Sequence, residues 1–270
     1  MERRPVAPVH PHSRRPAPWP VEFYRSAVGK KWVMALTGIV LMGYVFAHMI
    51  GNLKLYLGAE DINHYGEFLR ELLVPLLPRT VTLWLMRIGL TLAFVFHIHA
   101  AASLTLMNRR AHAAGGYISR RDWQAANAAS RSMRLTGTVI LLFVIWHLAD
   151  LTWGTVNPDY VRGDVYRNLV ASFERPAVSA IYIVANVALG VHLFHGAWSM
   201  FQSLGLNNPK WNAWRRSFAA GFAGIVMVGN LSFPIAVLTG AVSADDNPDC
   251  RVVGDRVETC ELYEEAADDR

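Results

Sequence analysis

The sequence predicts an all-α fold, a five-transmembrane-helix bundle with its N-terminus cytoplasmic and its C-terminus extracytoplasmic. Three observations predict it. Of 270 residues, 53% are hydrophobic and only 17% charged, with a mean hydropathy of +0.21. The charges collect at the ends of apolar runs, where a soluble domain would scatter them. Five of those runs approach the roughly 20 residues needed to cross a bilayer. The chain divides into a basic Pro/Arg-rich leader (1–24), the bundle (25–241) and an acidic tail (242–270).

The first span, 32–56, follows a leader carrying Arg3, Arg4, Arg14 and Arg15. It is too long and too polar-flanked for the apolar region of a cleavable signal peptide, so it reads as a retained helix. The second (82–107), third (135–153), fourth (177–204) and fifth (218–241) carry Gly, Ala, Ser and Thr inside their apolar runs, as closely packed membrane helices do.

Charge orients the bundle. Lys plus Arg against Asp plus Glu is seven to two in residues 1–31, six to one in 108–134 and three to zero in 205–217. These segments share one side of a five-span protein, and the positive-inside rule makes that side cytoplasmic. Segments 54–80 (three to four) and 153–176 (three to three) fall outside, with the tail 245–270 (three to ten). The net charge of +5 therefore describes an inner basic face and gives no support to nucleic-acid binding. The two cysteines, Cys250 and Cys260, lie in the outer tail, where an oxidising compartment favours a structural disulfide.

Four histidines, His48, His97, His147 and His192, each occupy a separate span. An ionisable side chain in hydrocarbon is costly and marks a ligand site or a functional path. Helix rise sorts the four by depth. His48 and His147 lie roughly 18–24 Å from the inner surface, His97 and His192 about 13–15 Å. Two levels of two imidazoles are what two haems need, each with an axial ligand on either face, and such centres stacked across the membrane would carry electrons. The plainer reading of any one of them is a hydrogen-bonded packing residue; four on four successive spans weigh against it. His99 and His195 sit close to the inner pair and read as neighbours of the cofactor. His97 and His99 point about 200° apart around their helix, whereas His192 and His195 share a face.

At this point the motifs resemble a family. Ser26–Gly38 (SAVGKKWVMALTG), Ala47–Asn52 (AHMIGN), Phe96–His99 (FHIH), Trp146–Gly154 (WHLADLTWG) and Val191–Gly205 (VHLFHGAWSMFQSLG) occur in an order that resembles the single-chain, five-helix, dihaem cytochrome b membrane anchor of succinate dehydrogenases and fumarate reductases, of the actinobacterial kind. The resemblance runs over about 25–240. It implies two haem b groups, the inner one on His97 and His192 and the outer one on His48 and His147. It also implies a flavoprotein and an iron–sulfur subunit docked on the cytoplasmic face, electron transfer to a quinone (menaquinone), and a place in the respiratory chain and the tricarboxylic acid cycle. The expected location is the plasma membrane, in contact with lipid and in a complex open to higher oligomers. A His-ligated [2Fe-2S] centre is the alternative to haem.

The chain itself carries neither a dinucleotide fingerprint nor a cluster-type Cys run, so it needs partners to oxidise succinate. Arg25, Lys30, Lys31, Arg109, Arg110, Arg215 and Arg216 are candidates for the dock, although topology signalling near anionic lipid explains such residues as well. A quinone needs an apolar slot with hydrogen-bond donors. Ser26, Lys30, Trp32 and Trp211 offer these on the inner side, and His64, Tyr65, Glu67 and Asp150 on the outer side, where the resemblance favours the site. Arg87, Arg134 and Trp198 are candidates for contact with haem propionates or rings; arginines near helix ends also snorkel. The competing classes are a proton-relaying transporter, which should show inverted repeats and broken helices, and a purely structural anchor without cofactor.

Overall fold

The computed structural model describes residues 17–112, 128–206, 208–243, 252–253 and 256–257. Cys250 and Cys260 lie outside them. Eight α-helices occur among the described residues: α1 (Trp19–Arg25), α2 (Ala27–Asn52), α3 (Ala59–Glu71), α4 (Val81–His112), α5 (Ala128–Leu151), α6 (Val165–Phe173), α7 (Pro176–Ser203) and α8 (Asn212–Leu238). A two-residue antiparallel bridge pairs β1 (Val252–Val253) with β2 (Arg256–Val257) in the tail.

Five helices are long and apolar enough to cross a membrane: 27–57, 81–110, 132–151, 176–203 and 212–238. They fall on the five expected spans, and the chain is a multi-pass membrane protein. The first and fifth start five and six residues earlier than expected because their basic first turns, with Lys30 and Arg215, are already helical. Chain order makes successive spans antiparallel, so the bundle has a basic end, where α2, α5 and α8 begin, and an opposite end, called here the cap end.

The basic end opens on a sharp joint. Ser26 caps α2, its hydroxyl oxygen accepting from the Gly29 backbone N–H at 2.9 Å. Such a cap is worth about 1 kcal/mol. The end of α1 rests directly on α2 at Gly29, where an added Cβ would stand 1.9 Å from the Phe23 carbonyl oxygen. The Lys30 ammonium, buried there, donates to the carbonyls of Tyr24 (3.0 Å) and Arg25 (2.9 Å), satisfying the last turn of α1.

The cap end differs from expectation. Segments 54–80 and 153–176 read as loops, yet they fold into α3 and α6. Asp164 caps α6 by accepting from the Arg167 N–H at 3.0 Å, and Asn63 of α3 donates to that carboxylate at 3.1 Å. The Asn63 side-chain oxygen in turn accepts from Val165 N (2.7 Å) and Tyr166 N (3.1 Å). Leu55, Ile62, Tyr166, Phe173, Tyr182 and Phe233 are among the residues that form an apolar cluster beneath this cap.

Within the bundle α2 packs on α4 and α7, α5 packs on α7, and α8 lies against α7 and α2. The α8 seam is made of methionines seated on glycines. A Cβ on Gly229 would meet Met49 Sδ at 2.3 Å, and one on Gly190 would meet Met227 Sδ at 2.7 Å. We predict that Gly229→Leu overpacks this seam at a cost of about 1–3 kcal/mol, read as a lower midpoint in thermal unfolding of the detergent-solubilised protein. An unchanged midpoint would show that Met49 can move aside.

Candidate functional site

The four span histidines meet in two pairs. The rings of His97 (α4) and His192 (α7) lie 6.5 Å apart between centroids, and those of His48 (α2) and His147 (α5) lie 5.9 Å apart. Each pair joins helices that are not closely packed against one another, α4 with α7 and α2 with α5. The packed contacts run in the order α4–α2–α7–α5, so each pair joins next-nearest helices of that series.

The inner geometry repeats. Met34-Ala35-Leu36-Thr37-Gly38 on α2 and Met133-Arg134-Leu135-Thr136-Gly137 on α5 share the pattern Met-x-Leu-Thr-Gly, and each is followed by a histidine eleven residues after its threonine, His48 and His147. Each threonine holds a histidine from the next long helix. Thr37 Oγ1 lies 3.2 Å from His97 Nδ1, and Thr136 Oγ1 lies 3.2 Å from His192 Nδ1. The glycine beside each threonine lets the ring come close: a Cβ on Gly38 would stand 3.5 Å from His97 Cε1, and one on Gly137 would stand 3.4 Å from His192 Cε1. Eleven residues of helix separate the two pairs by about 16 Å along the bundle.

Hydrogen bonding fixes the tautomers. Thr37 spends its proton on the Val33 carbonyl at 2.6 Å, and Thr136 donates to the Ser132 carbonyl at 3.1 Å, so both hydroxyl oxygens are left as acceptors toward imidazole. The Met34 carbonyl, which can only accept, also lies 3.1 Å from His97 Nδ1. In the other pair, Tyr182 donates to Asp150 Oδ2 at 2.9 Å and so accepts from His147 Nδ1 at 3.3 Å. Three of the four rings therefore carry their proton on Nδ1 and keep the Nε2 lone pair available. Metal-ligating histidines are oriented in this way.

Two neutral imidazoles brought this close, with Nδ1 engaged and Nε2 left available, form a donor pair that could hold a metal-containing group between them. Among the described residues no group of three or more His, Cys, Asp or Glu side chains converges on a common point. The buried histidines of the spans come together in twos. Two buried polar ring atoms make no hydrogen bond among the described residues: Trp146 Nε1, beside His147, and His195 Nδ1, one turn from His192.

The remaining candidates separate by position. His99 bonds to the Tyr24 hydroxyl at the basic end. His195 and Trp198 are ring neighbours, 6.4 Å apart, and Trp198 lines a cleft of about 420 Å³ with Gln202, Asn212 and Arg216. Arg87 covers the Trp84 ring at 5.1 Å and Arg134 is exposed at the start of the third span; neither is drawn to a histidine pair by a hydrogen bond. Ser26 and Lys30 are occupied in the α1–α2 joint, and Trp32 is 40% exposed. The Trp211 side chain is outside the described residues. At the cap end His64 is exposed, while Glu67 pairs with Arg70 and, at 2.7 Å, with Arg79. Tyr65 lies against Gly51, three residues beyond His48, where a Cβ would stand 2.6 Å from its ring.

Asp150 is engaged by neighbouring side chains. Its carboxylate is fully buried and taken up by Arg175 at 2.6 Å, by Ser172 and by Tyr182. Thr37, Thr136 and Tyr182 were not singled out by the sequence reading. The Met-x-Leu-Thr-Gly repeat, with histidine at a constant distance, is the signal that would have found the two threonines.

The arrangement is a helical bundle, with five helices long and apolar enough to cross a membrane, that encloses two facing histidine pairs. Comparison with known proteins shows what this bundle is similar to. The description "Succinate dehydrogenase/Fumarate reductase transmembrane subunit" matches residues 105–231. The succinate dehydrogenase cytochrome b558 subunit of Bacillus subtilis (strain 168) is 26% identical over 173 residues, covering 64% of this chain and 77% of that protein. No solved structure matches the chain. Over the matched residues the chain is similar to succinate dehydrogenase/fumarate reductase transmembrane subunits.

Proposed function

We propose that this anchor passes electrons between an iron–sulfur subunit and quinone through two haem b groups, held by His97 and His192 near the basic end and by His48 and His147 near the cap end. The observation that carries the reading is the pairing itself, two sets of imidazoles with ring centroids 5.9 and 6.5 Å apart, the Nδ1 atoms of His97, His147 and His192 being engaged so that Nε2 would be the ligand atom. The cytochrome b name of the Bacillus subtilis relative supports haem over an iron–sulfur centre. When bound, such groups supply one-electron redox chemistry inside the bilayer. The protein's own residues orient the ligands, exclude water and set the distance between the two levels.

The basic end faces the cytoplasm in this reading, where Lys31, Arg109, Arg110 and Arg216 are exposed toward a flavoprotein and an iron–sulfur subunit. The quinone site lies at the cap end. His64 and Tyr65 are its remaining open polar candidates, and the contact of Tyr65 with Gly51 brings it close to the His48 level. The His-ligated [2Fe-2S] alternative would need further ligands from a partner, and no observation here favours it.

The test is a reduced-minus-oxidised optical spectrum of the purified complex, with haem and iron quantified per anchor chain. Two bis-histidine b-type haems per chain are expected; none, with quinone reductase activity retained, would refute the proposal. The threonines give a finer test. Thr37→Val and Thr136→Val each remove an outer-shell acceptor, a change that lowers metal-site affinity or activity roughly 10- to 100-fold. Loss of haem from the basic-end site, with the cap-end haem kept, is the expected spectrum.

A further inference from the structure

The two histidine pairs are backed by different chemistry. At the basic-end pair, His97 and His192 hydrogen-bond among the described residues to neutral groups, a threonine hydroxyl each and a peptide carbonyl each, Met34 for His97 and Met133 for His192. At the cap-end pair, His147 leans through the Tyr182 hydroxyl onto a carboxylate, while His48 makes ring contacts with Tyr44 (5.5 Å) and His147 (5.9 Å) among the described residues. The first pair is related by the internal repeat and is symmetric. The second is not.

We propose that Tyr182 and Asp150 are positioning residues for His147, and that they polarise this one ligand so that the cap-end centre is electronically asymmetric. The inference rests on reading the histidine pairs as haem ligands. Its physical content is a relay of charge without displacement of atoms. The two Asp150 oxygens divide their work: Oδ1 accepts from Arg175 at 2.6 Å, and Oδ2 accepts from Ser172 and, at 2.9 Å, from Tyr182. The tyrosine oxygen, made more electron-rich by its donation to a carboxylate, draws on the His147 Nδ1 proton and raises the basicity of Nε2. In a site walled from water, successive hydrogen bonds polarise one another, and carboxylate-backed histidines are stronger ligands than carbonyl-backed ones. A more basic ligand favours the oxidised metal, so the arrangement holds the potential of the cap-end centre down. Arg175 offsets part of the Asp150 charge from the far side, which leaves the Tyr182 hydrogen bond as the path of influence.

A packing role for Tyr182 is separable from this one. Its ring is boxed by Phe143 (centroids 5.0 Å) and Phe173 (4.8 Å), contacts that phenylalanine would keep. The experiment is potentiometric titration of the purified complex, followed by optical and low-temperature EPR spectra, for wild type, Tyr182→Phe and Asp150→Asn. Tyr182→Phe should raise one midpoint by about tenfold in the reduction equilibrium constant, about 59 mV for a one-electron couple, and shift the low-spin EPR signal of that centre alone. Asp150→Asn should move the same centre in the same direction, and decides the matter if Tyr182→Phe does not accumulate. Thr136→Val, which acts on the basic-end site, should leave the midpoint of the Tyr182-backed centre unmoved. Two wild-type bis-histidine signals whose midpoints neither variant moves would overturn the assignment of Tyr182 and Asp150. A wild-type complex lacking two such signals overturns the haem reading itself, and that result is visible before any variant is made.

Discussion

Replacing His97 and His192 by alanine should leave succinate oxidation by a soluble artificial acceptor intact and abolish quinone reduction by the complex. The expectation follows from position. These two rings form the pair nearer the basic end, so electrons entering from a partner docked there meet this level first. Loss of an outer-shell partner costs roughly 10- to 100-fold; loss of both ligands should exceed that range and remove one haem from the optical spectrum. The two acceptors distinguish a broken electron path from a complex that has failed to assemble. Quinone reduction that survived the double substitution would exclude these histidines as ligands or as a relay.

The second large effect concerns the cap end. Asp150→Ala should destabilise the folded protein by about 3–5 kcal/mol, the range for breaking a buried ion pair on one side. The carboxylate is fully buried and is the common acceptor for Ser172 at the end of α6, Arg175 at the N-cap of α7 and Tyr182 about two turns further along α7. Removing it leaves two hydroxyls and a guanidinium without their shared partner beneath the α3–α6 cap. The effect should appear as early proteolysis of 153–176 and as a fall in thermal midpoint in detergent. Asp150→Asn keeps two hydrogen-bonding atoms and should cost less. Equal midpoints for Asp150→Ala and wild type would mean that the cap is held by the Asn63–Asp164 contacts and the apolar cluster alone.

How much of this was legible in the sequence depends on the length of the signal. The five spans were readable because each is a long uninterrupted apolar run, and their ends moved by only a few residues. The amphipathic helices α3 and α6 were not. Thirteen and nine residues long, they mix polar and apolar positions, and their docking rests on long-range contacts such as Asn63 with Asp164, 101 residues apart. The histidine pairing was readable because depth along a helix follows from counting residues. The threonine partners were readable in principle, since the repeat that contains them places a histidine at the same distance in α2 and α5. The role of Tyr182 was not, because nothing in its neighbourhood on α7 marks it until α5 brings His147 and Asp150 against it. Asp150 drew notice as a polar residue at a helix end, and its burial against Ser172, Arg175 and Tyr182 exists only in three dimensions.

The most direct measurement is an experimental density map of the assembled complex in lipid. The account predicts two flat prosthetic groups between α2, α4, α5 and α7, one gripped by Nε2 of His97 and His192 and the other by Nε2 of His48 and His147, with Thr37, Thr136 and Tyr182 still on the Nδ1 side. A map in which those four rings bond only to neighbouring backbone, hydroxyls or water, with no prosthetic group between the helices, would contradict it.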